Sequence, residues 1–350
     1  MFYYFCHLFF INKLTKSVES IKIFSERKVI IISVKENLLK VLCERDESVS
    51  GEELAKEFGV TRNAIWKAAE ELKRDGYKIN SVKRRGYSLS KKNEKLCIEE
   101  LKRYIKTEKI IFLNETDSTN TVLKKAAADG EKAGTLVISE KQTSGKGRLG
   151  RQFFSPDGGI YFSLLLRPKK EIKNAMLITT AAATAVAEEI EKFSGRRADI
   201  KWVNDIYIDR KKVCGILTEG ALTAETALIE YAVLGIGINL TEPENGYPQE
   251  IKSTAAAVFG KEKINSETKS KLIGAIIEKF YSYYENIERR EYMDEYRKRS
   301  FLIGKEVEFI KNGEKHIAEV TGIDNDARLE TEENGEKIII GAGEVSVKWK

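Results

Sequence analysis

The hydrophobic pattern of this sequence changes its period at about residue 95, and this change most constrains the fold. From 34 to 74, apolar residues recur at the three- and four-residue spacing of amphipathic helices. Beyond the charged segment 91–95, short apolar runs typical of strands alternate with helical segments. A chain of 350 residues is also long enough for two or three domains. We therefore predict an α+β multidomain protein.

Two short helices separated by a glycine turn are predicted after residue 49. Ser50 and Glu53 have the spacing of a capping box at the start of the first helix. Gly59 turns the chain, and Thr61 caps a second helix whose apolar residues share one face. This arrangement is typical of a helix-turn-helix, whose second helix enters the major groove of DNA.

A basic hairpin is predicted to follow as a wing, with strands over 77–82 and 86–89. Segment 51–92 contains eleven Lys or Arg and six Asp or Glu, a net charge of +5, whereas the whole chain carries +6. Such a patch attracts phosphate backbones through counterion release. A small helical protein–protein module is the alternative. The predicted DNA contacts are Arg62, Asn63, Lys67, Arg84 and Arg85.

The N-terminal run of largely apolar residues is too short to cross a bilayer, which needs about 20 residues. It also lacks the basic region and cleavage site of a secretory signal, and a peripheral anchor is the alternative. We expect residues 1–33 to be an atypical extension from a misassigned start codon, with the first well-formed element near Val34. Four cysteines without C-x-x-C spacing predict reduced thiols in a cytoplasmic protein. Elsewhere no run of 18 apolar residues occurs, so we expect no membrane association.

Beyond the charged segment, the sequence predicts an α/β domain to about residue 265. Helices are predicted over 119–128 and 175–193, the second rich in alanine, and a long helical stretch over 268–299. From Ile303 onward, short strand-like segments separated by Asn-Gly turns predict a small β-barrel. The strands of the α/β domain are predicted at 110–113, 135–140, 160–166, 200–202, 213–218 and 227–235.

A glycine-rich basic loop, QTSGKGRLGR at 142–151, is the first candidate for a ligand site. Gly145, Gly147 and Gly150 allow backbone N–H groups to approach a ligand closely. The cations between them neutralise carboxylate or phosphate charge. The loop has neither the Walker A order nor the G-x-G-x-x-G order. A flexible basic hairpin is the alternative interpretation.

Three further motifs accompany this loop, and each alone is more often structural than functional. DSTN at 117–120 lies at a strand-to-helix junction, where small polar side chains cap the helix or bind a polar ligand. KWVND at 201–205 and KVCGIL at 212–217 place a lysine and a carboxylate at predicted strand ends, which points to a crevice. GIGIN at 235–239 ends a strand with two glycines and a polar side chain.

Together and in this order, these motifs resemble bifunctional biotin–protein ligases that also repress the biotin operon. The resemblance covers about 34–350. It implies a winged helix-turn-helix (34–92), a class II aminoacyl-tRNA synthetase-like catalytic domain of the biotin and lipoate ligase type (96–300), and an SH3-like β-barrel (301–350). It also implies ATP with Mg²⁺ and biotin as substrates, without a protein-held metal. The implied partners are a biotin carboxyl carrier protein of acetyl-CoA carboxylase, operator DNA and, with adenylate bound, a second copy of the chain.

The resemblance also implies roles for the residues at matching motif positions. Lys212 and Arg148 would serve the attack of the biotin carboxylate on ATP, and Asp205 with Lys201 would serve transfer to the carrier lysine. The implied substrate contacts are Ser118, Thr119, Asn120 and Gln142 at the ureido head, Gly145, Lys146, Gly147, Arg148 and Arg151 in the glycine-rich loop, Lys212, Gly215 and Leu217 along the channel, and Asn239 at the adenine.

The sequence departs from the family pattern at Val203, where proline is usual, and at Phe153, where tryptophan is frequent. Both positions keep apolar bulk, so we expect altered loop rigidity rather than lost activity. Lipoate–protein ligation, a non-catalytic biotin-sensing repressor and a ligase with a vestigial DNA-binding head are the rival functions. Lys212, Arg148 and Asp205 argue against a sensor, because sensing needs no phosphate clamp.

Overall fold

The structure is a computed structural model in which the described residues belong to two compact units. The first lies within Met1–Glu100 with Asn265–Glu267, and the second within Leu101–Ile264 with Thr268–Lys350. Among the described helices, none has the length and apolar character needed to cross a membrane. The described residues are 20–25, 28–82, 85–168, 175–222, 229–311, 313–341 and 345–347, with only the backbone described for 20–32, 222, 346 and 347.

In the first unit, three helices are followed by a short hairpin, as expected for a winged helix-turn-helix, and another hairpin precedes them. Leu38, Leu54 and Ile65, one from each helix, are fully buried in a common core. The hairpin that follows the helices is antiparallel. Two backbone hydrogen bonds join its Tyr87 to Val49, which lies between the first and second helices. The elements are β1 (Ser20–Ser25), β2 (Lys28–Ser33), α1 (Val34–Glu44), α2 (Gly51–Phe58), α3 (Arg62–Arg74), β3 (Ile79–Val82) and β4 (Gly86–Leu89).

The predicted helix caps are confirmed, although the predicted capping box forms only in part. Thr61 Oγ1 accepts from Ala64 N at 3.2 Å, and Ser50 Oγ accepts from Glu53 N at 3.1 Å. The Glu53 carboxylate, however, pairs with Arg45 at 3.0 Å. Arg45 therefore binds the Glu53 carboxylate, which in a complete capping box would accept a hydrogen bond from the Ser50 backbone N–H.

Two expectations for the first unit were wrong. The antiparallel hairpin of β1 and β2 precedes Val34, so the first element begins earlier than predicted. Cys43 and Cys97 form a disulfide, because the chain that follows the wing returns to the end of α1. Cys214 is a buried free thiol as expected, and Cys6 lies outside the described residues.

A seven-stranded mixed sheet forms the centre of the second unit, with strand order β5-β6-β7-β11-β10-β9-β8. Only β5 and β6 pair in parallel among its described strands. The elements up to the end of this sheet are α4 (Ile98–Tyr104), β5 (Lys109–Leu113), α5 (Thr119–Ala128), β6 (Thr135–Ser139), β7 (Gly159–Leu166), α6 (Ala175–Ser194), β8 (Asp199–Lys201), β9 (Asp205–Ile208), β10 (Lys211–Leu222) and β11 (Ile229–Asn239).

The two faces of this sheet are covered by different helices. On one face, Leu123 and Ala127 of α5 pack against Leu165 and Val233. On the other face, α6 contacts the sheet. Every described strand pairing of this sheet except β5–β6 is antiparallel, and the lysine and carboxylate predicted to mark a crevice, Lys212 and Asp205, both line one pocket. The pocket described below lies over the sheet face.

The long helix predicted over 268–299 is interrupted. It consists of α7 (Ser266–Tyr284), a 3-10 turn (Ile287–Arg289) and α8 (Met293–Arg299). Arg290 has a φ of 56°, a left-handed conformation that no α-helix continues through. Apolar periodicity alone did not reveal this backbone reversal.

The C-terminal part of the second unit is an antiparallel sheet with strand order β15-β14-β13-β12-β16. Val307, Phe309, Ala318 and Val320 alternate with exposed or partly buried residues and are buried on one side of it. The described pairings leave β15 and β16 as edges, so the described residues do not form a closed barrel. The strands are β12 (Glu306–Lys311), β13 (Glu314–Ile323), β14 (Leu329–Glu333), β15 (Glu336–Ile340) and β16 (Ser346–Val347).

Replacement of Gly86 by alanine should destabilise the first unit strongly. Gly86 has a φ of +93°, and an added Cβ would lie 1.9 Å from the Val49 carbonyl oxygen. We expect Gly86→Ala to lower the free energy of unfolding by roughly 2–4 kcal/mol. Gly59→Ala is the control, because Gly59 has a φ of +65° with nothing within 4 Å, and it should cost about 1–2 kcal/mol. Amide hydrogen exchange in the first unit measures both, and equal losses would contradict the steric argument.

Candidate functional site

The floor of the main pocket is a patch of sheet where three glycines leave the backbone bare. Gly215 on β10 lies opposite Gly237 on β11, and Gly235 shares their face because side chains alternate along a strand. A Cβ on Gly235 would lie 2.1 Å from Asn120 Oδ1, and a Cβ on Gly237 would lie 2.7 Å from the Phe153 ring. Bulkier residues at these positions would therefore exclude the side chains that form the walls. We call Gly215, Gly235 and Gly237 the glycine floor.

Most of the residues predicted as a site are brought together over this floor. Two of them are not part of the lining. An added Cβ on Gly145 would lie 2.4 Å from the Phe153 carbonyl oxygen, so this glycine serves close packing inside the loop. Asn239 Nδ2 donates to the Ala256 carbonyl at 3.2 Å. The predicted residues that line the pocket are Ser118, Thr119, Asn120, Gln142, Lys146, Gly147, Arg148, Arg151, Lys201, Asp205, Lys212, Gly215 and Leu217.

Neutral polar side chains form a hydrogen-bonded group at the N-terminus of α5. Gln142 Oε1 accepts from Thr119 N at 2.8 Å, and Gln142 Nε2 donates to Ser155 Oγ at 3.0 Å. The Ser163 hydroxyl lies 2.6 Å from Asn120 Oδ1 and 2.7 Å from Thr119 Oγ1. We call these five residues the polar cluster. Since several of its members line the pocket, it presents both donors and acceptors to a ligand.

Lys212 occupies a position on β10 that the backbone holds firmly. Its Nζ lies 2.8 Å from Asp205 Oδ1 and 5.5 Å from the centre of the Phe153 ring. The register between β9 and β10 shifts immediately after Lys212, and such a bulge redirects a side chain. Its N–H donates to the Thr254 carbonyl at 2.7 Å, and its carbonyl accepts from Ala256 N at 2.9 Å. The ammonium group is therefore directed into the pocket from a fixed strand.

Asn204 links the glycine-rich loop to this lysine and was not predicted as a site residue. Its Nδ2 donates to the Ile216 carbonyl at 2.8 Å and to Asp205 Oδ1 at 3.1 Å. Its Oδ1 accepts from Arg148 Nη1 at 3.2 Å. The position of Asn204 inside the KWVND motif was the signal that could have identified it.

The glycine-rich loop closes on itself and brings its cations to the pocket. Gly147 N donates to the Arg151 carbonyl at 2.7 Å, and Arg151 N donates to the Arg148 carbonyl at 3.2 Å. At the tip, Leu149 has a φ of 55° and is 72% exposed. Lys146, Arg148 and Arg151 all line the pocket from this loop. The arrangement can neutralise an anionic ligand from several directions.

Residues distant in sequence complete the wall. Val345, directly before β16, lines the pocket. Trp202 Nε1 donates to the Ala327 carbonyl at 2.8 Å, and Tyr296 Oη donates to the Val203 carbonyl at 3.1 Å. These bonds hold the KWVND turn, whose Trp202–Val203 peptide is cis. No local sequence signal indicated the contribution of Val345.

In the first unit, the predicted DNA-contacting residues of α3 lie on its exposed side. Arg62, Asn63 and Lys67 are exposed, as is Trp66, whose side chain is 54% exposed. Arg85 of the wing is also exposed, whereas Arg84 lies outside the described residues. The opposite side of α3 is buried in the core. A basic helix face with one large aromatic side chain is therefore available to a partner.

Two segments of the chain match known domain families. Residues 112–239 match the biotin/lipoate A/B protein ligase family, and residues 34–88 match an HTH domain. The first match contains the glycine-rich loop, Lys212 and the glycine floor. The second contains the three helices and the hairpin of the first unit.

Similar proteins combine these two domains. The chain is 38% identical over 218 residues to the bifunctional ligase/repressor BirA of Bacillus subtilis (strain 168), over 61% of this chain and 66% of that protein. It is 32% identical over 203 residues to BirA of Escherichia coli (strain K12), over 58% of this chain and 62% of that protein. Both matches span slightly less than two thirds of the relative.

A solved structure has a similar fold over about two thirds of this chain. It is the biotin protein ligase from Aquifex aeolicus in complex with biotin and ATP, with a TM-score of 0.58 and 28% sequence identity. The match covers 69% of this chain and the full length of that one.

Proposed function

The chain contains a biotin/lipoate A/B protein ligase domain and an HTH domain, and from this combination we propose that it is a bifunctional biotin–protein ligase and DNA-binding repressor. One observation carries the ligase function. A single pocket joins the cations Lys146, Arg148 and Lys212 to the neutral polar cluster across the glycine floor. Activation of an acid by ATP needs the cations, and recognition of a cyclic urea needs the polar cluster.

In the first reaction, a biotin carboxylate oxygen attacks the α-phosphorus of ATP and pyrophosphate leaves, which produces biotinyl-5′-AMP. Both reactants are anions, so fixed positive charge lowers their repulsion and stabilises the charge that develops. Lys212 bridges the carboxylate and the α-phosphate, while Lys146 and Arg148 hold them from the loop and Arg151 helps to order that loop. Mg²⁺ enters with ATP as the counter-ion of its β- and γ-phosphates.

The glycine floor sets the position of biotin between the two polar regions. Gly235 lies below Asn120, and Gly237 lies below Phe153. Because these glycines are two residues apart, the distance between them along β11 is about 7 Å. The ureido head meets Ser118 and the polar cluster, and the valeryl chain follows Gly215 and Leu217 toward Lys212. A dithiolane ring has no N–H or carbonyl to pair with the polar cluster, which favours biotin over lipoate. Asn239 is assigned to the adenine on its motif position alone.

In the second reaction, the neutral amine of a carrier lysine attacks the mixed anhydride, and AMP leaves. The amine must lose a proton, and Asp205 is the carboxylate in the pocket that can receive it. Asp205 lies 2.8 Å from Lys212. When the negative charge of the adenylate attracts Lys212, this contact weakens, and the Asp205 carboxylate becomes available to the carrier amine. Lys201, at the end of β8, lines the same pocket and is assigned with Asp205 to this step.

We extend the proposal to the finer architecture and the partners. The antiparallel order of β12 to β16 is compatible with an SH3-like C-terminal domain over 301–350. In chain order, this domain follows a winged helix-turn-helix over 34–92 and a class II aminoacyl-tRNA synthetase-like domain over 96–300. Residues 1–33 form an extension. The protein biotinylates a carrier protein of acetyl-CoA carboxylase in the cytoplasm, and with adenylate bound it pairs with a second copy on operator DNA, where a dimer matches a two-fold site.

The direct test mixes the full chain with ATP, Mg²⁺, a biotin carboxyl carrier domain and either biotin or lipoate, and measures the carrier mass. An ATP-dependent gain of one biotin supports the ligase. A gain with lipoate alone would replace the substrate, and no gain with either acid would leave the sensor-repressor alternative.

Replacement of Lys212 should abolish the first reaction while the fold is retained. We expect Lys212→Ala to lower the rate of pyrophosphate release roughly 100- to 1,000-fold, the effect of removing one fixed charge from a developing anion. Lys211→Ala, which removes an exposed lysine from the same strand, is the control. Near-normal adenylate formation by Lys212→Ala would contradict its role.

Replacement of Asp205 should affect transfer to protein more than adenylate formation. Its carboxylate receives the carrier proton only in the second reaction, whereas its contact with Lys212 affects the first indirectly. Single-turnover transfer from preformed adenylate, compared with pyrophosphate release, separates the two. Asp209→Ala, at the turn that follows β9 and 82% exposed in its side chain, is the control. Equal losses in both half-reactions of Asp205→Ala would remove the assignment.

Reversal of the wing charge should weaken DNA binding. We expect Arg85→Glu to lower affinity for a duplex of about three helical turns and to reduce the dependence of log K on log salt by about one. Lys92→Glu makes the same charge change outside the wing and α3 and should have a smaller effect. The double variant Arg84→Glu/Arg85→Glu reverses the charge of both wing arginines. If a salt titration shows that its affinity for the duplex is unchanged, binding through the wing is refuted.

A further inference from the structure

An ion pair lies directly behind the polar cluster. Glu219 on β10 accepts from Asn120 Nδ2 at 2.8 Å and from Lys124 Nζ at 2.6 Å. Asn120 and Lys124 are four residues apart on α5, so they point to the same side of the helix. Neither Glu219 nor Lys124 lines the pocket. The pair therefore acts on a ligand only through Asn120.

Glu219 is the nearer of two acceptors that set which way the Asn120 amide faces, at 2.8 Å from Nδ2, whereas the Leu217 carbonyl lies at 3.4 Å. An ionised carboxylate only accepts hydrogen bonds, so it must meet the NH₂ group of Asn120. Burial raises the pKa of the Glu219 carboxyl, but the hydrogen bonds from Lys124 and Asn120 outweigh this effect and hold it below its ordinary value. Glu219 is thus ionised at neutral pH, and a flipped amide would place Asn120 Oδ1 against a negative charge.

The opposite end of the same amide faces the glycine floor. Asn120 Oδ1 lies so close to Gly235 that an added Cβ would approach it to 2.1 Å. The Ser163 hydroxyl contacts this oxygen at 2.6 Å. A carbonyl oxygen accepts two hydrogen bonds, which leaves a position for an N–H group of a ligand over the floor.

We propose that Glu219, supported by Lys124, is a positioning residue for substrate specificity that holds Asn120 with its acceptor oxygen toward the pocket. This inference rests on the proposed ligase function and identifies how the pocket requires a ring N–H. An acid whose ring lacks an N–H buries the second acceptor position of this oxygen without a donor, which lowers its affinity. Neither Glu219 nor Lys124 was among the residues predicted as a site.

Glu219→Gln is the first variant, because it keeps the shape of the side chain and removes its charge. The glutamine amide can meet either end of Asn120, so the asparagine loses its fixed orientation. We expect Kd and KM for biotin to rise roughly tenfold, while kcat at saturating biotin and KM for ATP stay within about twofold. A general loss of folded protein would instead lower kcat and leave KM unchanged.

Glu188→Gln is the matched control. Glu188 is also partly buried and paired, with Lys279 at 3.4 Å and Tyr283 Oη at 2.6 Å, and it lies on α6 away from the pocket lining. Its replacement should leave Kd for biotin unchanged. A rescue variant combines Asn120→Asp with Glu219→Gln. The glutamine NH₂ group then donates to one oxygen of the new aspartate, and the other aspartate oxygen stays over Gly235 as an acceptor. It should recover most of the lost biotin affinity.

Isothermal titration of the full chain with biotin in the absence of ATP is the deciding measurement. If the unmodified protein binds no biotin, the proposed function fails before Glu219 is tested. If it binds biotin and Glu219→Gln binds equally well, the positioning inference is overturned and the ligase function stands. A rise in Kd shared equally by Glu188→Gln, or one that the double variant does not reverse, would also overturn the inference.

Discussion

The structure depends on a local absence of side chains on one face of the central sheet. Where Leu165 and Val233 lie on that face, α5 packs against them and excludes solvent. Where the glycine floor begins, the same face is bare, and the start of α5 together with Phe153 can approach the backbone closely. The pocket is therefore an interruption of helix–sheet packing. Its shape follows from three missing Cβ atoms on neighbouring strands.

Two lysines, one in the pocket lining and one behind it, are each paired with a carboxylate. Lys212 is paired with Asp205, and Lys124 with Glu219, in both cases at partly buried positions. A half-buried charge without a partner would be costly, so each carboxylate stabilises the lysine that it contacts. The two pairs differ in what a ligand does to them. An anion at Lys212 competes with Asp205, whereas the Lys124–Glu219 pair lies behind the lining and stays intact.

The predictions that succeeded rest on interactions between residues close in sequence. Thr61 caps α3 through an amide three residues away, and α5 begins and ends at the predicted residues, Thr119 and Ala128. The predictions that failed depend on distant parts of the chain. The Cys43–Cys97 disulfide needs the return of the chain after the wing, and the break before α8 needs a backbone reversal at Arg290. Periodicity reports which face is apolar and carries no information on such contacts.

By itself, the sequence determined the order of most elements from Val34 onward, the basic helix-turn-helix and the motifs whose residues surround the pocket, because helix caps, glycine conformations and charge are local properties. Only the tertiary structure decided that Gly215 lies opposite Gly237, that Glu219 orients Asn120 from 99 residues away, and that Val345 closes the wall. These relations follow from strand register and helix packing. Both are set by the burial of apolar surface across the whole chain, which no short segment encodes.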